Sequence, residues 1–226
     1  MIDVLCPSRM RPAHAKDMAE SALELAESDI HVTIGIDDDD DPFVEQYQGF
    51  ANDRITVVVC GDGTGCVKAW NAIYAMTHRH YVMCVGDDVL FRTKGWDRKL
   101  ISKMPIDDIG LVGCLAIQNG MDNYDHALMT RKWFSITGCI APEELKHYYV
   151  DSFHIAIGKL IGRLICNRDV LLEHFHHKRH PQGMKCDGVY QKNEAGAGHD
   201  RDVFCSYKGR IKTIAKLMRE AMQCGS

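Results

Sequence analysis

Two adjacent carboxylates, Asp87 and Asp88, interrupt an apolar run that reads Y-V-M-C-V-G-D-D-V-L-F from Tyr81 to Phe91. A buried strand that stops at acids presents them rigidly at a sheet edge, where open α/β folds bind ligands. Hard oxygen ligands in that place suit Mg²⁺ or Mn²⁺ taken up together with a phosphate. Gly-Asp-Asp is also ordinary turn chemistry, and a solvated turn between two strands accounts for the same residues equally well.

Three other segments carry chemistry. The loop P-S-R-M-R-P after the first apolar run holds Ser8, Arg9 and Arg11, and arginine forks onto phosphate oxygens. Five aspartates, Asp37 to Asp41, follow the apolar run Ile30 to Ile36; they repel one another and cannot all be buried, so only Asp37 to Asp39 are expected to matter. The late stretch L-L-E-H-F-H-H-K-R-H supplies imidazoles, and His174 and His176 point the same way if it is extended. A zinc hydrolase would want H-E-x-x-H spacing, which is absent, and an exposed polar loop explains His177 and His180 as well as ligation does. Asp151, in H-Y-Y-V-D-S-F-H, fits either a helix N-terminus or a base that deprotonates an acceptor hydroxyl.

These groups need a frame that brings them together. Strands are expected at Ile2 to Cys6, Ile30 to Ile36, Ile55 to Cys60, from Tyr81, at Ile109 to Ile117 and at Lys132 to Ile136. Helical spacing marks Ala15 to Glu27, Cys66 to Met76, Trp96 to Met104, Ser152 to Ile161 and Arg210 to Met222, with Leu145 to Tyr149 read as continuing helical. The third strand ends in Gly-Asp-Gly-Thr-Gly, and Glu173 to Asp200, rich in His, Gly and Lys, reads as loop. Alternation of strand and helix indicates a mostly parallel sheet flanked by helices. Its strand ends converge on one edge, so Ser8, Arg9, Asp37 and Asp87 share one crevice suited to a nucleotide.

At 226 residues without a Pro/Ser-rich linker or internal repeat, the chain is expected to be one domain. No charged leader precedes an apolar run and no stretch is apolar enough to span a bilayer, so a cytoplasmic protein without a membrane partner is expected. Ten scattered cysteines without a C-x-x-C pair fit reduced, packed thiols rather than a disulfide scaffold or structural zinc. Residues 1–166 carry 16 Lys and Arg against 24 Asp and Glu, whereas 167–226 carry 11 against 7. That balance argues against wrapping duplex DNA over the whole surface but leaves a basic tail able to meet a polyanion; a solvated helix face is the plainer explanation.

Taken in order, C-P-S-R-M-R-P, T-I-G-I-D-D-D-D-D-P, A-W-N-A, V-G-D-D-V-L-F-R-T-K-G-W-D, V-D-S-F, and E-H-F-H followed by K-C-D-G-V-Y resemble glycosyltransferases with the GT-A fold, especially small family-2-like enzymes of bacteriophages. The resemblance implies a single Rossmann-like α/β domain, with 1–91 as the nucleotide-binding half and 92–226 as the acceptor half. It places Ser8, Arg9, Arg11, Asp37, Asp38 and Asp87 around a nucleotide-sugar, a UDP-sugar in the first instance, with Asn71 and Trp70 behind the nucleotide. Asp88 becomes the preferred ligand of Mn²⁺ or Mg²⁺, joined by His174 or His176, and Asp151 the catalytic base of a single, inverting displacement. The acid motif departs from the family's pair of aspartates separated by one residue, and Lys178 to His180 lengthen the histidine loop. A hydroxymethylated base in phage DNA is an expected acceptor, beside host glycans and small molecules; oligomeric state has no sequence signal. Two other classes compete. A nucleotidyltransferase would want glycines in the first loop, and P-S-R-M-R-P has none. A non-catalytic binding module would have no need of Asp87, Asp88, Asp151 and His174 together.

Overall fold

The computed structural model describes residues 1–61, 65–116, 121–178, 180 and 182–223, with the side chains of Asp40 and Asp41 outside that description. The expected glycine-rich turn at 62–64, the last strand residue Ile117 and Arg179 of the histidine loop fall outside it as well. The chain runs β1 (Ile2–Pro7), α1 (Pro12–Leu25), β2 (Ile30–Ile36), a 3₁₀ turn (Asp38–Asp40), α2 (Asp41–Gln48), β3 (Ile55–Val59), α3 (Gly65–Ala75), β4 (Tyr81–Cys84), β5 (Val89–Phe91) and α4 (Trp96–Ile101). It continues through β6 (Leu111–Ala116), β7 (Asp122–Thr130), α5 (Arg131–Thr137), α6 (Val150–Ile161), β8 (Leu164–His174), α7 (Gly188–Ser206) and α8 (Lys208–Gln223).

One eight-stranded sheet, ordered β3-β2-β1-β4-β7-β6-β8-β5, organises the molecule. The side from β3 to β4 is parallel as expected, because α1 and α3 carry the chain back between strands. Beyond β4 the sheet is mixed: β7 runs antiparallel to both β4 and β6, and β5 antiparallel to β8, while β6 and β8 are parallel, so the sheet is mostly but not purely parallel. β6 ends at Ala116 and β7 begins at Asp122, a connection too short for the crossover that a parallel pairing needs, so the two pair antiparallel.

Alternating side chains send the strands into two cores. Ile2, Val4 and Cys6 meet Met18, Ala22, Trp96 and Leu100 on one face, while Leu5, Val82 and Cys84 meet Ile73, Trp133, Phe153, Ile214 and Met218 on the other. Helices therefore cover both faces, and the apolar run from Tyr81 is split: β4 lies in the middle of the sheet, and β5 caps its far edge against β8.

Local reading failed where tertiary partners decide. Lys132 to Ile136, expected as a strand, lies in α5, whose start is capped by the Thr130 hydroxyl accepting from the Trp133 N–H (3.2 Å) and whose end turns at Gly138 with φ of 82°. Two aromatic neighbours, Trp133 and Phe134, mimic a strand but are both buried by helix packing. Leu145 to Tyr149 is turn rather than helix, because buried Asp200 takes the N–H groups of Lys146, His147 and Tyr148 (2.8–2.9 Å). The expected loop at Glu173 to Asp200 contains most of α7, a helix that buries only Tyr190 and Asp200 and so lacks an apolar stripe to announce it. β7, β8 and α2 have no counterpart in the expected elements. None of the described helices is long and apolar enough to cross a membrane.

The ladder between β6 and β7 is irregular. Val112 pairs Leu128 and Cys114 pairs Asn123, so two steps along β6 face five along β7, and the surplus of β7 bulges out over Gly113. A Cβ at Gly113 would meet the Asn123 carbonyl oxygen at 2.3 Å and the Tyr124 ring at 2.6 Å. Gly113→Ala must therefore push backbone aside and is expected to cost about 1–3 kcal/mol, the usual range for overpacking. Urea denaturation reads this as a lower midpoint at unchanged slope; an unaltered midpoint would show the bulge to be soft.

Candidate active site

Parallel neighbours β1, β2 and β4 end on the same edge, and the residues that follow them converge as expected. The Ser8 hydroxyl donates to one Asp87 oxygen (2.7 Å) and shares a hydrogen bond with the Tyr47 hydroxyl (2.8 Å). Arg11 reaches the other Asp87 oxygen at 3.3 Å, forks onto Asp187 at 2.7 and 2.8 Å, and lies 4.3 Å from the centre of the Tyr190 ring. Arg9 bonds Asp37 at 2.7 Å and grips Asp39 with two further bonds. Asp37 is buried, whereas Asp38 is exposed in the 3₁₀ turn.

Asp88 is assembled from the other end of the sheet. The β5–β8 ladder sets Val89 opposite His174 and continues with the Phe175 N–H donating to the Asp88 carbonyl (2.7 Å). That register brings His174 Nε2 to 3.1 Å from an Asp88 oxygen, and the Tyr190 hydroxyl donates to the same oxygen at 2.7 Å. Burial would raise both acids, but their partners separate them. Asp87 is pushed up to about 6 by burial against the pull of Arg11, with the charge of Asp88 adding to the rise. Asp88 ends well below the usual carboxylate range, since the His174 and Tyr190 hydrogen bonds outweigh its burial.

Asp151, also in the lining, stands in the first turn of α6, and its carboxyl meets that of Asp125 from the β7 bulge. Burial, with the Asp125 charge and hydrogen bond, pushes Asp151 up to about 6. Next to Asp125, the His126 ring packs edge-on to His174 with centroids 5.2 Å apart, and burial lowers it to about 4. Ser8, Arg9, Arg11, Asp37, Asp87, Asp88, Asp125, His126, Asp151, His174 and Tyr190 line a cleft of about 640 Å³, with Lys68, Lys146 and Lys192 also in its wall, whereas Tyr47, Asp38, Asp39 and Asp187 stand outside its lining.

Of the expected site residues, Ser8, Arg9, Arg11, Asp37, Asp87, Asp88, Asp151, His174 and His176 line this cleft. His176 sits 5.6 Å from the His174 ring and 5.4 Å from Tyr190, centroid to centroid. Asn71 is not among the lining residues: its amide accepts from the Ile140 N–H (2.9 Å) and donates to the Ala141 carbonyl (3.0 Å), holding the segment ahead of α6. Neighbouring Trp70 does reach the cleft and donates to the Leu5 carbonyl (3.1 Å). His177 bonds Glu194 and His180 bonds Glu173, both at 3.1 Å, which pins the histidine loop to α7 and β8.

Sequence reasoning missed Asp125, His126, Tyr190, Asp187 and Tyr47. Asp187 had a legible signal, since D-G-V-Y places an N-cap acid three residues before Tyr190, whose N–H it accepts at 3.0 Å. The Asp125–His126 pair had none, because strand alternation would send the two side chains to opposite faces and only the bulge turns both into the cleft.

Among the described residues no three His, Cys, Asp or Glu side chains form a ready metal cage. Asp88 and His174 nonetheless offer an oxygen and an imidazole nitrogen side by side in the cleft, a donor pair suited to Mn²⁺ that draws its other ligands from a bound diphosphate and water.

Solved structures share the fold. A mannosyltransferase from Pyrobaculum calidifontis, PcManGT, in complex with GDP-Man and Mn²⁺, superposes with a TM-score of 0.61 at 14% identity over 76% of this chain and 56% of its own. S. aureus TarS 1-349 superposes with a TM-score of 0.58 at 13% identity over 76% of this chain and 60% of its own, and its complex with UDP-GlcNAc with 0.58 at 12% over 79% and 60%. This chain thus spans little more than half the length of those solved chains, and 38% of the longer TarS structure. No curated protein sequence matches it. The family model described as Glycosyl transferase family 2 matches residues 3–159, a stretch that holds Ser8 to Asp151 and stops before His174 and Tyr190, and the chain belongs to that family.

Proposed function

We propose that this chain is a metal-dependent glycosyltransferase that moves a sugar from a nucleotide-sugar, a UDP-sugar in the first instance, to an acceptor hydroxyl with inversion. The observation that carries the reading is one cleft lined both by Asp88, 3.1 Å from His174 Nε2, and by Asp151, whose carboxyl is raised beside Asp125. The solved complexes of fold neighbours with GDP-Man and UDP-GlcNAc support a nucleotide-sugar donor.

In this reading Ser8, Arg9, Asp37 and Asp38 surround the nucleotide, and Arg11 faces its diphosphate. Mn²⁺ or Mg²⁺ held by Asp88 with His174 or His176 would neutralise charge on the leaving diphosphate. Asp151, a carboxylate at neutral pH, takes the proton of the acceptor hydroxyl as its oxygen bonds the anomeric carbon; the bond from that carbon to the diphosphate oxygen breaks on the opposite face. Asp125 positions Asp151 and raises its basicity. A nucleotidyltransferase finds no support in the first loop, P-S-R-M-R-P, where no glycine opens backbone N–H groups to a triphosphate. The exposed basic residues Lys208, Arg210, Lys212, Lys216 and Arg219 of α8 support a polyanionic acceptor, for which DNA bearing hydroxymethylated bases is the candidate, in a phage-infected cytoplasm.

Asp88→Asn preserves shape but removes the charge. It should lower kcat by at least about 10²-fold, the scale of one lost electrostatic contact in a transition state, and abolish the Mn²⁺-dependent rise in melting temperature that UDP-sugars give the wild type. Full activity in this variant would remove Asp88 from the mechanism. For Asp151, whose raised pKa demands deprotonation before catalysis, kcat/KM should be flat above pH about 6 and fall tenfold per unit below it. Asp125→Asn takes away the neighbouring negative charge and should move that limb to lower pH, whereas a limb left in place would belong to Asp87. On DNA, binding should weaken steeply as salt rises; no retention of hydroxymethylated or plain duplex at low salt would sink the DNA acceptor and leave the donor chemistry standing.

A further inference from the structure

Asp200 of α7 is wholly buried, and its side chain serves backbone: Oδ1 accepts from the Lys146 N–H (2.9 Å), and Oδ2 from the N–H groups of His147 (2.9 Å) and Tyr148 (2.8 Å). Three donors converging on one group call for an acceptor-only side chain, since an amide would turn its own N–H groups against theirs. A buried carboxylate in turn needs such donors to offset its lost hydration. The chemistry proposed for the cleft makes no use of Asp200 itself, so this expensive group is kept for what it holds.

It holds one turn. Lys146, His147 and Tyr148 line the cleft, and the chain passes from them through Tyr149 into α6 and Asp151. α6 does not fix its own start. Tyr149 stands at its N-cap without a side-chain cap and with φ of 69°, a left-handed conformation that a bulky residue keeps only where its surroundings impose it. Those surroundings come from α7. Phe204 stacks on the Tyr149 ring with centroids 5.1 Å apart, Val203 packs on the apolar cluster of Val67, Ala141, Leu145 and Val150, and Asp200 grips the three residues ahead. Asp200, Val203 and Phe204 are spaced i, i+3 and i+4, one face of a helix turned to one task.

We propose that Asp200 is a positioning residue for the reaction: by holding the turn at 146–148 it fixes where α6 begins and therefore where the Asp151 carboxylate stands. The assignment rests on the part given to Asp151 in the proposed glycosyl transfer. Tyr190, which serves Asp88, lies about 15 Å along the same helix from Asp200. The two contacts can therefore be disturbed separately, and loss of Asp200 should reach the base while sparing the groups at Asp88.

The test compares the wild type with Asp200→Asn and Asp200→Ala, Mn²⁺ present throughout. UDP and GDP binding is measured by calorimetric titration. Turnover is read as release of nucleoside diphosphate from UDP-glucose, UDP-GlcNAc and GDP-mannose, with water as acceptor, per folded molecule and across the limb at pH about 6 expected of Asp151. Asparagine keeps an oxygen for part of the turn and alanine keeps none. For the sugar nucleotide that the wild type turns over, kcat should fall about tenfold in Asp200→Asn and about 10²-fold in Asp200→Ala, the scale of a 1 Å misplacement. KM and diphosphate affinity should stay within about twofold, because the groups at Asp88 are untouched. The limb should move to lower pH, since an Asp151 that leaves its place also leaves the Asp125 charge that raises it. A residue that only docked α7 would lower the melting temperature and leave kcat per folded molecule and the limb where they were; that result overturns the proposal, as does equal loss of diphosphate binding and turnover. If the wild type turns over none of the three, the part given to Asp151 and this assignment fall together.

Discussion

Two carboxylates on consecutive residues cannot both be buried and ionised unless each is given its own compensation, and the molecule is arranged around meeting that demand at Asp87 and Asp88. Asp87 is answered from the amino-terminal strands, by the Ser8 hydroxyl and the Arg11 guanidinium. Asp88 is answered from the carboxy-terminal third, by His174 at the end of β8 and Tyr190 in the first turn of α7. Breaking a buried charge pair by removing one partner typically costs about 3–5 kcal/mol, so these contacts weld segments far apart in sequence. The same Arg11 that compensates Asp87 also holds Asp187, which caps α7 and orients Tyr190 toward Asp88. The two acids thus close a loop of interactions through a shared arginine, and α7 docks where the charges require it.

This arrangement separates what a sequence can display from what it cannot. Apolar runs ended by polar or charged residues are one-dimensional patterns, and they located β1 with Ser8 and Arg9 after it, β2 with Asp37, and β4 with Asp87 and Asp88. His174 and His176 were legible as ligand types, but their approach to Asp88 depends on the β5–β8 register, a pairing between distant segments that no local pattern encodes. α7 was invisible for a related reason. Its stability comes from an N-cap, a buried tyrosine and a buried aspartate rather than from an apolar stripe, so its composition reads as loop.

The half of the sheet beyond β4 shows the same limit more sharply. Parallel strands joined by crossover helices announce themselves by alternation, whereas β7 is placed antiparallel between β4 and β6 and bulges where it passes Gly113. Alternation along β7 would put Asp125 and His126 on opposite faces, and the bulge defeats that rule where the cleft needs both. Asn71 illustrates the converse. A polar residue on a helix beside a nucleotide-like loop looks like a ligand contact, yet its amide is spent on the backbone of Ile140 and Ala141, which sets the start of the segment leading to Asp151.

Charge decides how such a cleft can receive an anion. Its lining holds Asp37, Asp87, Asp88, Asp125 and Asp151 beside Lys68, Lys146 and Lys192, while Arg9 and Arg11 are already paired with carboxylates. A diphosphate entering alone would meet net repulsion at Asp88, which is held ionised, and a divalent cation entering alone would find too few protein donors among the described residues for a complete shell. Each lacks what the other supplies. In a cleft that takes both, as proposed, their binding free energies would be coupled, and by linkage the cation would raise affinity for the diphosphate by the same factor that the diphosphate raises affinity for the cation. An incomplete protein donor set is thus consistent with metal use: a cage complete without the donor would hold the cation just as tightly when no substrate was present, and the coupling would vanish.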